Sequence, residues 1–272
     1  EMSRKACLDD MQKTLGMVPS FMKALPDTAL PGAWEQMKSL ELSTNTALPP
    51  KYKELIGLAV SSQIPCTYCI YAHTEFAKAN GANEKEIGAA ISEAAVARQW
   101  STLLNGAQVD EAKFRADVQK MAAHAKKTAA GQPPPMTEIT DAESAMKDME
   151  QRMGVLPEFV RRVPKSALPG AWRMMRDAEM GAQAVPAKYQ MLTGLAVSAQ
   201  IPCAYCVNVT TELAKAMGAT EAELNEAIAM GSFTRAMSTL LNGMQLDMAA
   251  FKNDIKGLTK PKGKKAASLT AN

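Results

Sequence analysis

The stretch Gly57–Cys69 returns almost unchanged as Gly194–Cys206, 137 positions later, with two of thirteen residues altered. The same offset of 137 aligns Ser101–Gly106 with Ser238–Gly243, and an offset of 138 aligns Ala29–Trp34 with Ala167–Trp172. The chain is therefore a tandem duplication with a one-residue slip. A period this long is that of a duplicated domain, not of a solenoid built from units of roughly 20–50 residues. Between the copies, Lys126–Pro135 ends in three prolines, which remove backbone donors and favour an extended link. The expected division is residues 1–130, residues 131–255 and a flexible Lys-rich tail over 256–272.

Within each copy the punctuation is helical. Pro49–Pro50 opens a segment with Tyr52, Leu55, Ile56, Ala59 and Val60 on one face, and Pro65 interrupts it. A second helix starts near Pro65, carries Cys66, Cys69, Ile70, His73 and Phe76 on one side, and stops at Asn80–Gly81. Asn83 caps a long Ala-rich helix that runs to Asn105–Gly106. Alternating β-branched runs are absent, so each copy reads as an all-α domain of six or seven helices.

Composition excludes several classes. Of 272 residues, 47% are hydrophobic and 22% charged, as in a globular protein. Thirty-one basic against 28 acidic residues leave +3, with Lys concentrated at the end, so no nucleic-acid partner is indicated. No run reaches the roughly 20 apolar residues of a membrane span, and the opening residues lack the apolar centre of a signal peptide. A cytoplasmic location is expected, with an exported mature form as the alternative.

Five cysteines are present: Cys7 and the pairs Cys66/Cys69 and Cys203/Cys206. A Cys-x-x-Cys pair alone serves as a redox dithiol, as half a zinc site, or as two small core residues. In the first copy the neighbours narrow this. His73 follows Cys69 by four positions and Cys66 by seven, so all three share a helical stripe. Cys66 is placed in the first turn, where unpaired N–H groups stabilise a thiolate, while His73 lies nearer Cys69. The helix N-terminus favours Cys66 as the lower-pKa thiol, and proximity to His73 favours Cys69. Glu54 lies on the preceding helix, twelve residues before Cys66. The second copy keeps Cys203 and Cys206, but has Met191 at the place of Glu54 and Thr210 at that of His73. It lacks both of these titratable neighbours, and its dithiol is expected to be slower, a relay to the first, or inert. A four-Cys zinc site drawing on both pairs is a further alternative.

Glu54, Cys66-Thr-Tyr-Cys69 and His73, at this spacing, resemble the AhpD-like alkylhydroperoxidase branch of the carboxymuconolactone decarboxylase superfamily, over residues 50–105 and, at the level of fold, 187–242. The resemblance implies two tandem AhpD-like helical domains, and a homo-oligomer, trimer or dimer. It implies a thiol-dependent peroxidase acting on small or organic hydroperoxides, with Cys69 attacking, Cys66 resolving, and Glu54 and His73 relaying protons. An external dithiol, a lipoyl or thioredoxin-like protein, would re-reduce the pair; no cofactor or metal is called for. Competing readings are a decarboxylase or lactone-processing enzyme, and a non-catalytic redox-sensing protein.

Other features have plainer readings. His124 belongs at a surface or helix end, and Cys7 is a small hydrophobe near the terminus. Trp34 and Trp172 are packing residues, and the 19 methionines are adaptable packing that could also wall an apolar cavity.

Overall fold

A computed structural model describes residues 2–181 and 184–261. Among these residues the regular structure is all helical, with thirteen α-helices and no strand. The first copy contributes α1 (Arg4–Leu15), α2 (Ser20–Lys23), α3 (Leu30–Gln36), α4 (Pro50–Gln63), α5 (Thr67–Ala79), α6 (Glu84–Gly106) and α7 (Glu111–Thr128). The second contributes α8 (Ala142–Met153), α9 (Leu168–Glu179), α10 (Ala187–Gln200), α11 (Ala204–Ala216), α12 (Glu221–Gly243) and α13 (Met248–Thr259). No helix among the described residues is long and apolar enough to cross a membrane.

The helix ends follow local chemistry. Asn83 and Glu86 cap α6 reciprocally: the Glu86 N–H donates to Asn83 Oδ1 (3.0 Å) and the Asn83 N–H to Glu86 Oε2 (2.9 Å). Thr220 and Glu223 do the same for α12 (3.1 and 2.8 Å). Asp110 and Asp247 accept from the third N–H of α7 and α13, each at 2.7 Å. After α5 the chain leaves through Gly81 at φ +89°, a conformation that favours glycine. The proline-rich link has no regular structure, and Arg152 donates to the Pro135 carbonyl at 2.7 Å.

The described residues form two compact units that cut across the repeats. The first unit comprises Glu1–Ile87 with Ala229–Asn272; the second comprises Gly88–Ile228. They differ from the expected 1–130 and 131–255 division because the cores are built otherwise. Phe233, Leu241, Phe251 and Ile255, from α12 and α13, are buried with Met11, Trp34 and Phe76 in the first unit. Leu104, Phe114 and Val118, from α6 and α7, are buried with Cys203 and Cys206 in the second. The expected tail also begins late: α13 continues to Thr259, and residues 262–272 lie outside the described residues.

In each unit a buried Trp is anchored by an aspartate. Trp34 Nε1 donates to Asp10 Oδ2 and Trp172 Nε1 to Asp148 Oδ2, both at 2.8 Å. Cys7 is wholly buried in the first core, and is not bonded to another cysteine. His124 is half-buried on α7, its ring close against Gly154.

Candidate active site

Pro50 pre-sets the first turn of α4, which then buries one side so completely that Lys53 and Glu54 are enclosed with the apolar residues around them. Lys53 Nζ is held by the Leu40 and Ser43 carbonyls (2.6 Å each) and by Thr46 Oγ1 (2.9 Å). A buried ammonium needs such partners. Cys66 is the N-cap of α5 rather than part of its first turn, and its Sγ accepts the Cys69 N–H at 3.2 Å. Asn242 Nδ2, on α12, also donates to Cys66 Sγ at 3.4 Å. Cys66 and Cys69 are disulfide-bonded, with Cα atoms 5.3 Å apart.

His73, on the next turns of α5, meets Glu54: Nδ1 lies 2.7 Å from Glu54 Oε2. It also lies 3.5 Å from Glu41 Oε1. On the other side of the ring, Thr234 Oγ1 is 3.5 Å from Nε2. The approach of α4 to α5 that permits this depends on Gly57, where a Cβ would stand 2.5 Å from the imidazole.

Glu41 escapes the spacing argument because it lies far from the Cys-x-x-Cys motif in sequence. The repeat itself carried a signal, since the 138 offset that pairs Trp34 with Trp172 pairs Glu41 with Glu179. Glu41 ends a π-helical turn, Met37–Glu41, in which the Leu42 N–H reaches back to the Met37 carbonyl at 2.9 Å. Such turns often mark functional positions.

Burial dominates the electrostatics. Desolvation, with the adjacent Glu54 carboxyl, pushes Glu41 up to about 8. Desolvation also holds Glu54 well above the usual carboxylate range, against the pull of Lys53. It lowers His73, against the opposing charge of Glu41. Near neutral pH the cluster thus combines an imidazole inclined to stay neutral with carboxyls inclined to keep a proton, a combination suited to passing protons.

Cys69, His73 and Glu41 share the wall of a cavity of about 40 Å³, closed by Phe76, Phe233 and Phe251. Glu41 and Glu54 also border a second cavity of about 200 Å³, with Thr44 and Asn80 on its wall. Glu41 therefore borders both the space beside the thiol and the more polar one, where Glu54 joins it.

Glu41, Glu54 and His73 bring three ligand atoms within 4.8 Å, and form a group that could hold a metal ion. A cation there would have to displace protons from the carboxyls. Each Cys-x-x-Cys pair is closed on itself as a disulfide.

In the second unit Cys203 caps α11, accepting from the Cys206 N–H (3.2 Å) and from Asn105 Nδ2 (3.5 Å). Met191 and Thr210 are buried at the places of Glu54 and His73, and Thr210 Oγ1 donates to the Cys206 carbonyl at 2.7 Å.

Comparison with curated proteins and with solved structures gave no match. A protein-family model, by contrast, matches residues 28–112 and 167–246, spanning both Cys-x-x-Cys motifs and most of the paired helices described above. With more than half its length covered, once in each repeat, the chain belongs to the carboxymuconolactone decarboxylase family.

Proposed function

We propose that the protein is a thiol-dependent peroxidase that reduces small or organic hydroperoxides at Cys69 and Cys66. The observation that carries this reading is the Glu54–His73 hydrogen bond of 2.7 Å beside a cavity on which Cys69 opens. The family includes alkylhydroperoxidases as well as decarboxylases and members that are not peroxidases, so membership supports an enzyme and the site supports this chemistry.

With the pair reduced, the cluster takes the Cys69 proton, and the thiolate attacks the outer peroxide oxygen. The S–O bond forms as the O–O bond breaks, and the departing alkoxide takes a proton from the His73–Glu54–Glu41 set. The sulfenic acid then condenses with Cys66, releasing water and giving the disulfide seen here. An external dithiol, lipoyl or thioredoxin-like, returns both thiols to the reduced state and is itself oxidised. Two features favour Cys69 as the attacking thiol: it borders the cavity, whereas Cys66 is wholly enclosed and receives two N–H donors at its sulfur. Assembly as a homo-oligomer is part of the same proposal.

The test is peroxide consumption with a dithiol reductant by wild type, Cys69→Ser and Cys203→Ser, with disulfides located by peptide mass spectrometry. Loss of most turnover in Cys69→Ser, with the Cys66–Cys69 disulfide accumulating in peroxide-treated wild type, is the expected result. Stoichiometric oxidation without turnover would replace the peroxidase with a redox-sensing protein.

A further inference from the structure

We propose that Cys203 and Cys206 form a second working dithiol site, whose acid–base group is the Glu93–Glu179 carboxyl pair and whose substrate is a hydroperoxide with an apolar body. The substrate assignment rests on the peroxidase reading above; the acid–base assignment rests on the second unit's own geometry.

Loss of Glu54 and His73 equivalents leaves Cys206 without the relay found in the first unit; Met191 fills the place of Glu54, but the place of the His73 ring is not taken by an apolar side chain alone. Gly194 keeps the gap that Gly57 provides. In the first unit the His73 ring lies against that glycine; in the second the Glu93 carboxyl does, and a Cβ on Gly194 would collide with Glu93 Oε1. Glu93 comes from α6, and the residue one repeat later is Met230, so this carboxyl has no counterpart in the first site. Glu179 is the counterpart of Glu41. One relay acid is therefore retained and a second is supplied from a new position.

Glu93 is buried, to 1% exposure, and Glu179 is half-buried beside it. Glu179 and Gln190 are the polar side chains beside the Glu93 carboxyl, whose Oε2 accepts from no N–H or hydroxyl, and Glu179 is the acid placed to share a proton with it. Two carboxyls can share a hydrogen bond only when one of them holds a proton. Burial and the proximity of the second acid favour that protonation, raising the affinity of Glu93.

Glu93, Glu179 and Cys206 are the titratable groups on the wall of one cavity of about 70 Å³, larger than its counterpart in the first unit. The remaining wall is mainly apolar, with Trp100, Phe159 and Met175 prominent. The Trp100 indole N–H is buried and has no acceptor, although buried donors are rarely left so. In the first repeat-related site its place is taken by Met237. An apolar chain bearing one terminal oxygen-rich group fits this lining: the chain against the rings and Met175, the oxygens toward Trp100, the carboxyls and the sulfur.

The ionised carboxyl of the pair takes the Cys206 proton, and the thiolate attacks the outer oxygen, forming S–O and breaking O–O; sulfur is oxidised by two electrons and the peroxide reduced by two. The alkoxide leaves as alcohol with the proton of the carboxyl pair. Cys203 then displaces water from the sulfenic acid, forming S–S, and an external dithiol reduces that bond.

The experiment uses the full chain with Cys66→Ser and Cys69→Ser, so that the second pair alone remains, with and without Glu93→Gln or Glu179→Gln. Circular dichroism checks that each variant is folded. Cumene hydroperoxide oxidises the reduced Cys203/Cys206 pair in the parent, and either glutamine slows disulfide formation by about 10²-fold. The alkylation of Cys206 by iodoacetamide, followed against pH, shifts its inflection in the same variants. Folded variants that oxidise and alkylate like the parent overturn the carboxyl assignment. If no pair in any form of the protein reacts with peroxide, the peroxidase reading and the substrate assignment fail together. The alkylation profiles then still decide the carboxyl assignment: shifted inflections uphold it and identical ones remove it.

Discussion

At the scale of single residues, the first site depends on an absence of atoms. His73 can lie against α4 only because residue 57 has no side chain; a Cβ there would stand 2.5 Å from the ring, well inside contact distance. Gly57→Ala is expected to push the imidazole away from Glu54 and leave the helices formed. Overpacking of this kind costs about 1–3 kcal/mol of stability, whereas loss of acid–base help costs about 10²-fold or more in rate. Peroxide turnover together with urea unfolding of the same variant checks this, and an alanine variant with parental turnover would show that the ring's position is not needed. Cys66, Cys69 and His73 were legible because helical spacing brings i, i+3 and i+7 together, while Glu54, on the preceding helix, was legible only through the spacing of the family's motif. Gly57 was visible only as part of a repeated string, since its role is to be near a ring sixteen positions away. Glu41 and Glu93 were not legible by spacing, because tertiary packing and not helical periodicity brings them to the thiols.

At the scale of elements, equivalent acids arrive on different helical forms. Glu179 ends a regular α-helix, Leu168–Glu179, while Glu41 ends a π-helical turn after the shorter Leu30–Gln36. Helix boundaries set by Pro50, Asn83 and the Asn-Gly stops were readable in the sequence, since capping is local chemistry. The π turn was not, because nothing in Met37–Glu41 distinguishes it from ordinary helix. What that turn does is enclose a carboxyl beside Glu54 and His73, and this has a consequence for stability. Unfolded, Glu41 loses its proton near 4.5; folded, it keeps it up to about 8. Between those values the folded state binds more protons, so the contribution is full below about 4.5 and is lost as pH rises through about 8. His73, lowered by burial, acts oppositely, withdrawing stability as pH falls below about 6.5. Urea unfolding at several values across this range is expected to show a limb of stability that declines between about 4.5 and about 8, by up to about 1.4 kcal/mol per pH unit for one proton. Glu41→Gln flattens that limb; an unchanged slope would place the proton elsewhere.

At the scale of the whole molecule, the duplication in sequence and the compact units in space are different divisions of one chain. Each repeat holds the complete order of helices, and this much the sequence announced through its 137-residue period. The period carries no information on which core the last helices of a repeat enter, because Phe114 and Phe251 have equivalent surroundings in either arrangement of the chain. The first unit takes Phe233, Leu241, Phe251 and Ile255 from the second repeat, and even Cys66 receives its Asn242 contact from there. The second unit takes Leu104, Phe114 and Val118 from the first repeat, with Asn105 beside Cys203. A fragment of residues 1–130 consequently lacks part of the core around its own dithiol, while its α6 and α7 lack the core they enter in the full chain. Burial of several large apolar side chains is worth about 1.5–3 kcal/mol each, comparable in sum with the whole stability of a domain. The fragment is therefore expected to be poorly folded as a monomer. It gains cooperative structure only by pairing with a second copy that lends equivalent helices, as exchange of identical elements allows. Sedimentation equilibrium and urea unfolding across a concentration series test this directly. Stability that rises with concentration supports the shared-core arrangement, and a cooperative monomer of 1–130 at all concentrations would show that the first repeat can close its core with its own α6 and α7.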